Sequence, residues 1–268
     1  MNFNEKIKSH LTTYKTANFP GVPDGQWKKN KKPYSHILPE GIKFDNLLPT
    51  YRSDLINYLT SEKVKLHEDF HHLNSSQAMC FNFFYPLYQD RKLELLTDFL
   101  GLINEIIKYD TVCFEKLGLE TKFGRRATNF DFYFETETGK KIHFEIKYTE
   151  SEFAKAENNS AKFEEVYSNF LRPINSSYHS STKFFGNYQI LRNLIHIDEN
   201  SFVTFVFPTE NLGIKRGAES VKTDLLQNAF HQHFFSATWE RLFDHIFKST
   251  TDAKLAKQLT DFQEKYII

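Results

Sequence analysis

Three charged side chains sit where a strand would be expected to carry apolar ones. The stretch "NFDFYFETETGKKIHFEIKYTE", residues 129–150, alternates large apolar with polar residues on both sides of a turn-like "TETGK". Within it Asp131 falls between phenylalanines, and Glu145 and Lys147 flank Ile146. Period-two geometry places Phe130, Phe132 and Phe134 on one face of a first strand, with Asp131 and Tyr133 on the other. On the second strand Glu145 and Lys147 point away from Ile142, Phe144 and Ile146. If a three-residue loop is centred on Thr138, with Gly139 supplying a positive φ, Asp131 lies directly across from Glu145. A loop one residue shorter would make the pair diagonal, and still close. Opposed Cβ atoms are roughly 4.5–5.5 Å apart, and like charges there are destabilising.

Two carboxylates so placed call for a cation. Lys147 is one, about 7 Å along the strand from Glu145. A hard Mg²⁺, with Mn²⁺ as a substitute, fits better, because it takes one or two carboxylates and keeps several waters. Carboxylates for a metal, with an ammonium to orient water, are what hydrolysis of a phosphodiester requires. The plain alternative is a solvated strand face, the usual fate of a Glu–x–Lys pattern; the opposed Asp131 and the flanking apolar strands argue for a site.

The elements around the hairpin must hold it. Residues 1–45 carry several breakers and read as an irregular arm packed on a core, leaving 46–268 as one domain. A helix is expected near Leu55–Leu59. Another starts at "NSSQAM", capped by Ser75 or Ser76 and interrupted by Pro86. Leu93, Leu96, Leu100, Ile103 and Ile107 repeat at helical spacing and predict an amphipathic helix ending near Tyr109. "TVCFEKL", "TNFDFYFET" and "KIHFEIKYT" read as strands, "FEEVYSNFL" and "NYQILRNLIHI" as helical, and "SFVTFVFP" as a buried strand. From about Val221 the chain reads as two or three further helices. The fold class is therefore α/β, in the order αβββαβ around a central mixed sheet, with extra helices at both ends.

With these elements assigned, the chain resembles the PD-(D/E)xK nuclease superfamily, and within it a bacterial, restriction-endonuclease-like subgroup. "FD" at 130–131 matches the end of its first motif, "EIK" at 145–147 matches the second, and residues 74–208 fill the core order. "SSQAMCFNFF", "NFDFYFE", "FEIKYTE" and "YQILRN" carry the subgroup likeness. Phe130 stands in place of the usual Pro. The resemblance implies a Mg²⁺-dependent deoxyribonuclease of restriction or defence type, with Asp131 and Glu145 as metal ligands and Lys147 assisting catalysis. It implies further that a first-helix residue joins the site; Gln77 is the candidate, with Glu105 behind it. Gln189 would orient the lysine or touch phosphate, although "QILRN" lacks the Tyr that follows in one exonuclease-like branch. Many such enzymes act as dimers, so a homodimer is allowed. A module of the same fold that binds nucleic acid without cutting is the alternative.

"HEDFHH" offers a competing chemistry. His67, Glu68 and His71 have HExxH spacing, which on a helix would make a zinc peptidase. Asp69 and the capping residues that follow argue instead for a polar connection. For nucleic acid, "QWKKNKKPY" supplies Lys28, Lys29, Lys31 and Lys32 with Trp27 and Tyr34 interleaved. Arg125 and Arg126 precede Asp131, Arg192 follows Gln189 on one helix, and "GIKRG" adds Lys215 and Arg216.

Composition bounds the rest. Of 268 residues, 34 are Lys or Arg and 34 are Asp or Glu, so any basic surface must be local. The 28 Phe and 13 Tyr predict an aromatic core. Two cysteines, each flanked by apolar residues, argue against a disulfide framework. Without a signal-like amino terminus or a run long enough to span a bilayer, a cytoplasmic protein off the membrane is expected.

Overall fold

The structure, a computed structural model, describes residues 2–118 and 129–268. The chain begins with helix α1 (Phe3–Asn18), the two-residue strands β1 (Gly25–Gln26) and β2 (Pro33–Tyr34), and helices α2 (Arg52–Ser61), α3 (Ser76–Gln89) and α4 (Glu94–Phe99). Strands β3 (Ile107–Leu117), β4 (Asn129–Thr136) and β5 (Lys141–Ile146) follow, then a single turn, α5 (Ser160–Lys162), which continues into π-helical Phe163–Tyr167. Helices α6 (Ser181–Gly186) and α7 (Tyr188–Leu194), strand β6 (Ser201–Phe207), helix α8 (Leu212–Ser220), strand β7 (Phe234–Thr238) and helices α9 (Trp239–Ser249) and α10 (Ala253–Tyr266) complete it. Two compact units result: one from Met1–Leu102 with Trp239–Ile268, the other from Ile103–Thr238. No described helix is long and apolar enough to cross a membrane.

The first unit is helical, and its helices show where local reading failed. Residues 3–18 are not irregular. Asn2 and Glu5 exchange side-chain-to-backbone hydrogen bonds of 3.0 Å in a capping box, and Ile7, Leu11 and Lys15 share one buried stripe. Pro86 does not interrupt α3, which runs on to Gln89. A proline deprives the carbonyl four residues earlier of its helical partner. Here that carbonyl, on Asn82, accepts from Gln258 Nε2 on α10 at 2.8 Å. The expected long helix after Leu93 stops at Phe99, because Gly101 takes φ +74° and the N–H groups of Gly101 and Leu102 bond back to Asp98 and Thr97 at 3.0 and 2.8 Å. This is a Schellman ending, which glycine favours. Tyr109 consequently belongs to a strand.

The second unit is built on a five-stranded mixed sheet in the order β3-β4-β5-β6-β7. β3, β4 and β5 are antiparallel, while β5-β6 and β6-β7 are parallel. β7 lies in the stretch read as helical; its five residues are too few for period to separate strand from helix. Every residue of β6 is buried, as expected of a strand with parallel neighbours on both sides. The β4–β5 turn has the expected three-residue form: Thr136 N–H donates to Lys140 O at 2.9 Å, and Gly139 adopts φ +84°. Phe132 therefore faces Phe144, and Tyr133 faces His143. The same register carried one step further sets Asp131 opposite Glu145. Phe130, Phe132, Phe134 and Phe144 are all completely or almost completely buried, and the π-helical turn after α5, helices α6–α8 and strand β6 add to the core.

Candidate active site

The three charged residues of the hairpin converge at the end of β5. Lys147 N–H donates to Val206 O at 2.8 Å, so the parallel pairing with β6 extends past the strand and fixes the backbone that carries the lysine. Glu145 and Lys147 remain only 4% and 6% exposed. Lys147 Nζ donates to Glu145 Oε1 at 2.8 Å. Gln189 Nε2, from α7, donates to the same oxygen at 2.8 Å. Across the hairpin Asp131 Oδ2 accepts the Ile146 N–H at 2.6 Å.

Gln189 reaches Glu145 because both faces of its residue are tied down. Its backbone N–H donates to Ala154 O, and its Oε1 accepts from Ala154 N–H, each at 2.9 Å. One amide thus links α7, the loop after β5 and the buried carboxylate. The loop has further supports that the sequence did not single out. Asn211 Nδ2 donates to Tyr148 O at 3.1 Å and to Glu150 O at 2.8 Å, while Asn211 Oδ1 caps α8. Gly213 lies so close that a Cβ there would stand 1.8 Å from Ser151 O. Phe153 places its ring 5.7 Å from Lys147 Nζ, and Glu150 Oε2 accepts the Tyr148 N–H at 2.8 Å. Glu150, three residues beyond Lys147, was visible in sequence only as another acidic residue in a polar stretch.

Burial and charge set the protonation of this group. Burial is the largest influence on Asp131 and raises its pKa, Glu145 and Glu115 add to the rise, and Lys147 and the Ile146 N–H offset it only in part. Its carboxyl is held well above the usual carboxylate range. For Lys147 burial acts downward, but Glu145, Glu150 and Asp131 outweigh it, and the pKa ends above that of an ordinary lysine. The ammonium is therefore a fixed cation at neutral pH. The oxygens of Asp131 and Glu145 are the donors with which a hard cation could be held. Among the described residues no group of three or more His, Cys, Asp or Glu is assembled for a metal.

The other described residues singled out in the sequence have surroundings of their own. Gln77 belongs to the helical unit, where its amide donates to Lys65 O at 3.0 Å and accepts from His67 N–H at 2.8 Å. Glu105 pairs with Lys140 and Thr138 at the turn end of the hairpin, the far end of β4 from Asp131. Lys28, Lys29, Lys31 and Lys32 surround the β1–β2 connection. Lys28 is paired with Glu40 at 2.8 Å, and Lys29 lies 5.5 Å from the Trp27 ring. Lys31 has φ +58°, and Lys32 O accepts the Trp27 N–H. Arg125 and Arg126 lie outside the described residues. Arg192 stacks on Tyr188 at 5.0 Å, and Arg216 lines a groove of about 390 Å³ together with Phe153, Asn187 and Ile190. The zinc-peptidase reading is overturned. Residues 67–71 form turns rather than a helix, so His67 and His71 do not share a helical face, and His71 Nε2 is 3.2 Å from Gln26 O.

No curated protein and no solved structure matches this chain. A family model does, over residues 8–267. With the mixed sheet and the hairpin carboxylates it points one way: the chain belongs to the family of restriction endonucleases associating with ARP.

Proposed function

We propose that the chain is a metal-dependent endonuclease that hydrolyses phosphodiester bonds of DNA in a restriction or other defence role. One observation carries the chemistry. A buried glutamate shares a single carboxylate oxygen between Lys147 and Gln189 and faces a second acid across a hairpin. Membership of a restriction-endonuclease family supports DNA as the substrate.

The donor set fits a hard divalent cation. Asp131 binds its proton tightly because it is buried and has Glu145 beside it, and a cation would stabilise both carboxylates in the same place. Asp131 and Glu145 would hold Mg²⁺ or Mn²⁺, leaving other positions to water and substrate. Such an ion, when bound, polarises the phosphate and lowers the pKa of water. The protein's own residues do the rest. Gln189 keeps Glu145 in one rotamer. Lys147, charged throughout the neutral range, directs the attacking water and stabilises the negative charge that develops on the phosphoryl oxygens. The water oxygen forms the new bond to phosphorus, the bond from phosphorus to the leaving sugar oxygen breaks, and the water's protons pass to that oxygen and to solvent.

The test is cleavage of circular and linear DNA, duplex and single-stranded, by the parent and by Lys147→Ala, in Mg²⁺, Mn²⁺ or EDTA. Cutting of circular duplex that needs metal and is lost in the variant is the expected result. Cutting that survives EDTA would remove the metal from the proposal. DNA binding without any cutting would point instead to a binding module of this fold.

A further inference from the structure

The face of α7 next to Gln189 carries a second cluster with no part in the chemistry above. Tyr188 Oη receives Lys162 Nζ at 3.0 Å and shares a 2.9 Å hydrogen bond with Tyr167 Oη. The guanidinium of Arg192, one helical turn along from Tyr188, lies 5.0 Å from its ring, and Lys162 Nζ lies 5.2 Å from the same ring. Two cations therefore converge on one phenol. Lys162, Tyr188 and Arg192 are all half-buried, so a ligand can reach them.

Three features separate this cluster from ordinary surface charge. Among the described residues neither Lys162 nor Arg192 forms an ion pair with a carboxylate, unlike Lys28 with Glu40, Lys155 with Glu152 or Arg172 with Glu199. Arg192 Nε is buried and has no hydrogen-bond partner among the described residues. An unpaired buried donor of this kind costs free energy unless something satisfies it. Lastly, Tyr167 ends a π-helical turn that starts next to Lys162, and such turns recur at functional sites. The two cations bias the potential at the phenol towards positive. Burial alone would raise the Tyr188 pKa, yet the hydrogen bonds from Tyr167 and Lys162 and the Arg192 charge outweigh it and hold the pKa below the ordinary value. A site with that potential attracts an anion.

Placement says which anion. On α7 Arg192 is three residues from Gln189 and four from Tyr188, so its side chain neighbours both. Gln189 is itself hydrogen-bonded to Glu145. We propose that Lys162, Tyr188 and Arg192 form a clamp for a backbone phosphate of the DNA strand, adjacent to the phosphate that is cut, an inference that rests on the nuclease reading. The clamp would hold the strand in register over Lys147 and would read no base, because phosphate contacts position a duplex without specifying its sequence.

The test is binding of a fluorescein-labelled DNA duplex, followed by anisotropy in EDTA over a range of salt concentrations. The variants are Lys162→Gln with Arg192→Gln, each single change, and the charge-keeping Lys162→Arg with Arg192→Lys. The double Gln variant is expected to bind about tenfold more weakly at low salt, with a flatter dependence of log affinity on log salt by about one phosphate contact. The charge-keeping variant should recover most of that slope. Equal affinity and slope in parent and double Gln variant would overturn the clamp while leaving the nuclease reading intact. A parent that neither binds nor cuts DNA would sink the nuclease reading, and the clamp with it. If melting shows that the double variant has lost its fold, the single Lys162→Gln change decides, since its ammonium sits at the rim; an unchanged slope there overturns the proposal.

Discussion

Lys147 and Lys265 are both buried lysines, at 6% and 1% exposure, and they bind their protons in opposite ways. Lys147, in the sheet unit, faces Glu145, Glu150 and Asp131, and its pKa is raised despite burial. Lys265, in the helical unit, donates to the Asn46 carbonyl and to Asn46 Oδ1, each at 2.6 Å, and lies 4.9 Å from the Tyr266 ring. Burial, with Arg52 adding to it, pushes its pKa well below that of an ordinary lysine. Burial removes water from both ammoniums. Acidic neighbours reverse the effect in one case, and neutral carbonyls leave it uncorrected in the other. A lysine kept charged in a dry site suits electrostatic catalysis, whereas the Lys265 amine is spent on the Asn46 oxygens.

The comparison can be broken at several points. The largest effect should follow Lys147→Ala, which removes the charge but none of the metal-holding oxygens; DNA cleavage should fall by roughly two to three orders of magnitude. A loss smaller than tenfold in single-turnover assays would mean that the paired ammonium is structural. Gln189→Ala deletes one of two donors to Glu145 Oε1. A hydrogen bond to a charged group contributes about 1.5–3 kcal/mol, so cleavage should fall about ten- to a hundredfold, with the Lys147 pairing kept. An unchanged rate would show that Lys147 alone orients the glutamate.

Gly213→Ala tests the loop behind Lys147 rather than the lysine. The new Cβ would meet Ser151 O, a backbone atom with little room to yield, and should cost about 1–3 kcal/mol in thermal or denaturant unfolding. A variant as stable as the parent would mean that α8 and this loop are loosely joined. Lys265→Met should produce the smallest effect at any one pH, but a diagnostic one. In the parent the folded pKa lies below the unfolded value of about 10.4, so between the two the unfolded chain binds more protons. Stability should therefore rise with pH through that window, by at most about 1.4 kcal/mol per unit, and the gain is complete at the unfolded value. The Met variant should lose that slope in denaturant titrations between neutral and alkaline pH. A parent curve with no slope would show that Lys265 stays charged.

Legibility followed the range of the interactions. The β4–β5 hairpin was readable because alternation and a glycine at the turn are local, and together they set the register that brings Asp131 to the end of β5 beside Glu145. Ser75 at the start of α3 was readable for the same reason. Gly101 was a local stop signal, passed over because Ile103 and Ile107 happened to continue the helical spacing; one is exposed and the other opens β3. Pro86 was misread because Gln258, which rescues the freed carbonyl, is distant in sequence. The HExxH spacing was rightly set aside, because such spacing implies a shared face only on a helix and residues 68–71 form turns.

What the amino-acid order determined by itself is the hairpin: which residues alternate, where it turns, and that two carboxylates and an ammonium share one face. Those follow from the two-residue period of a strand and the conformational freedom of one glycine. Only the tertiary structure decided that Gln189 would meet Glu145, that Asn211 and Gly213 would pin the intervening loop, and that Asp131 and Lys147 would both hold their protons more tightly than usual. Those outcomes depend on exclusion of water and on contacts between residues far apart in the chain, and neither is written into any short stretch of sequence.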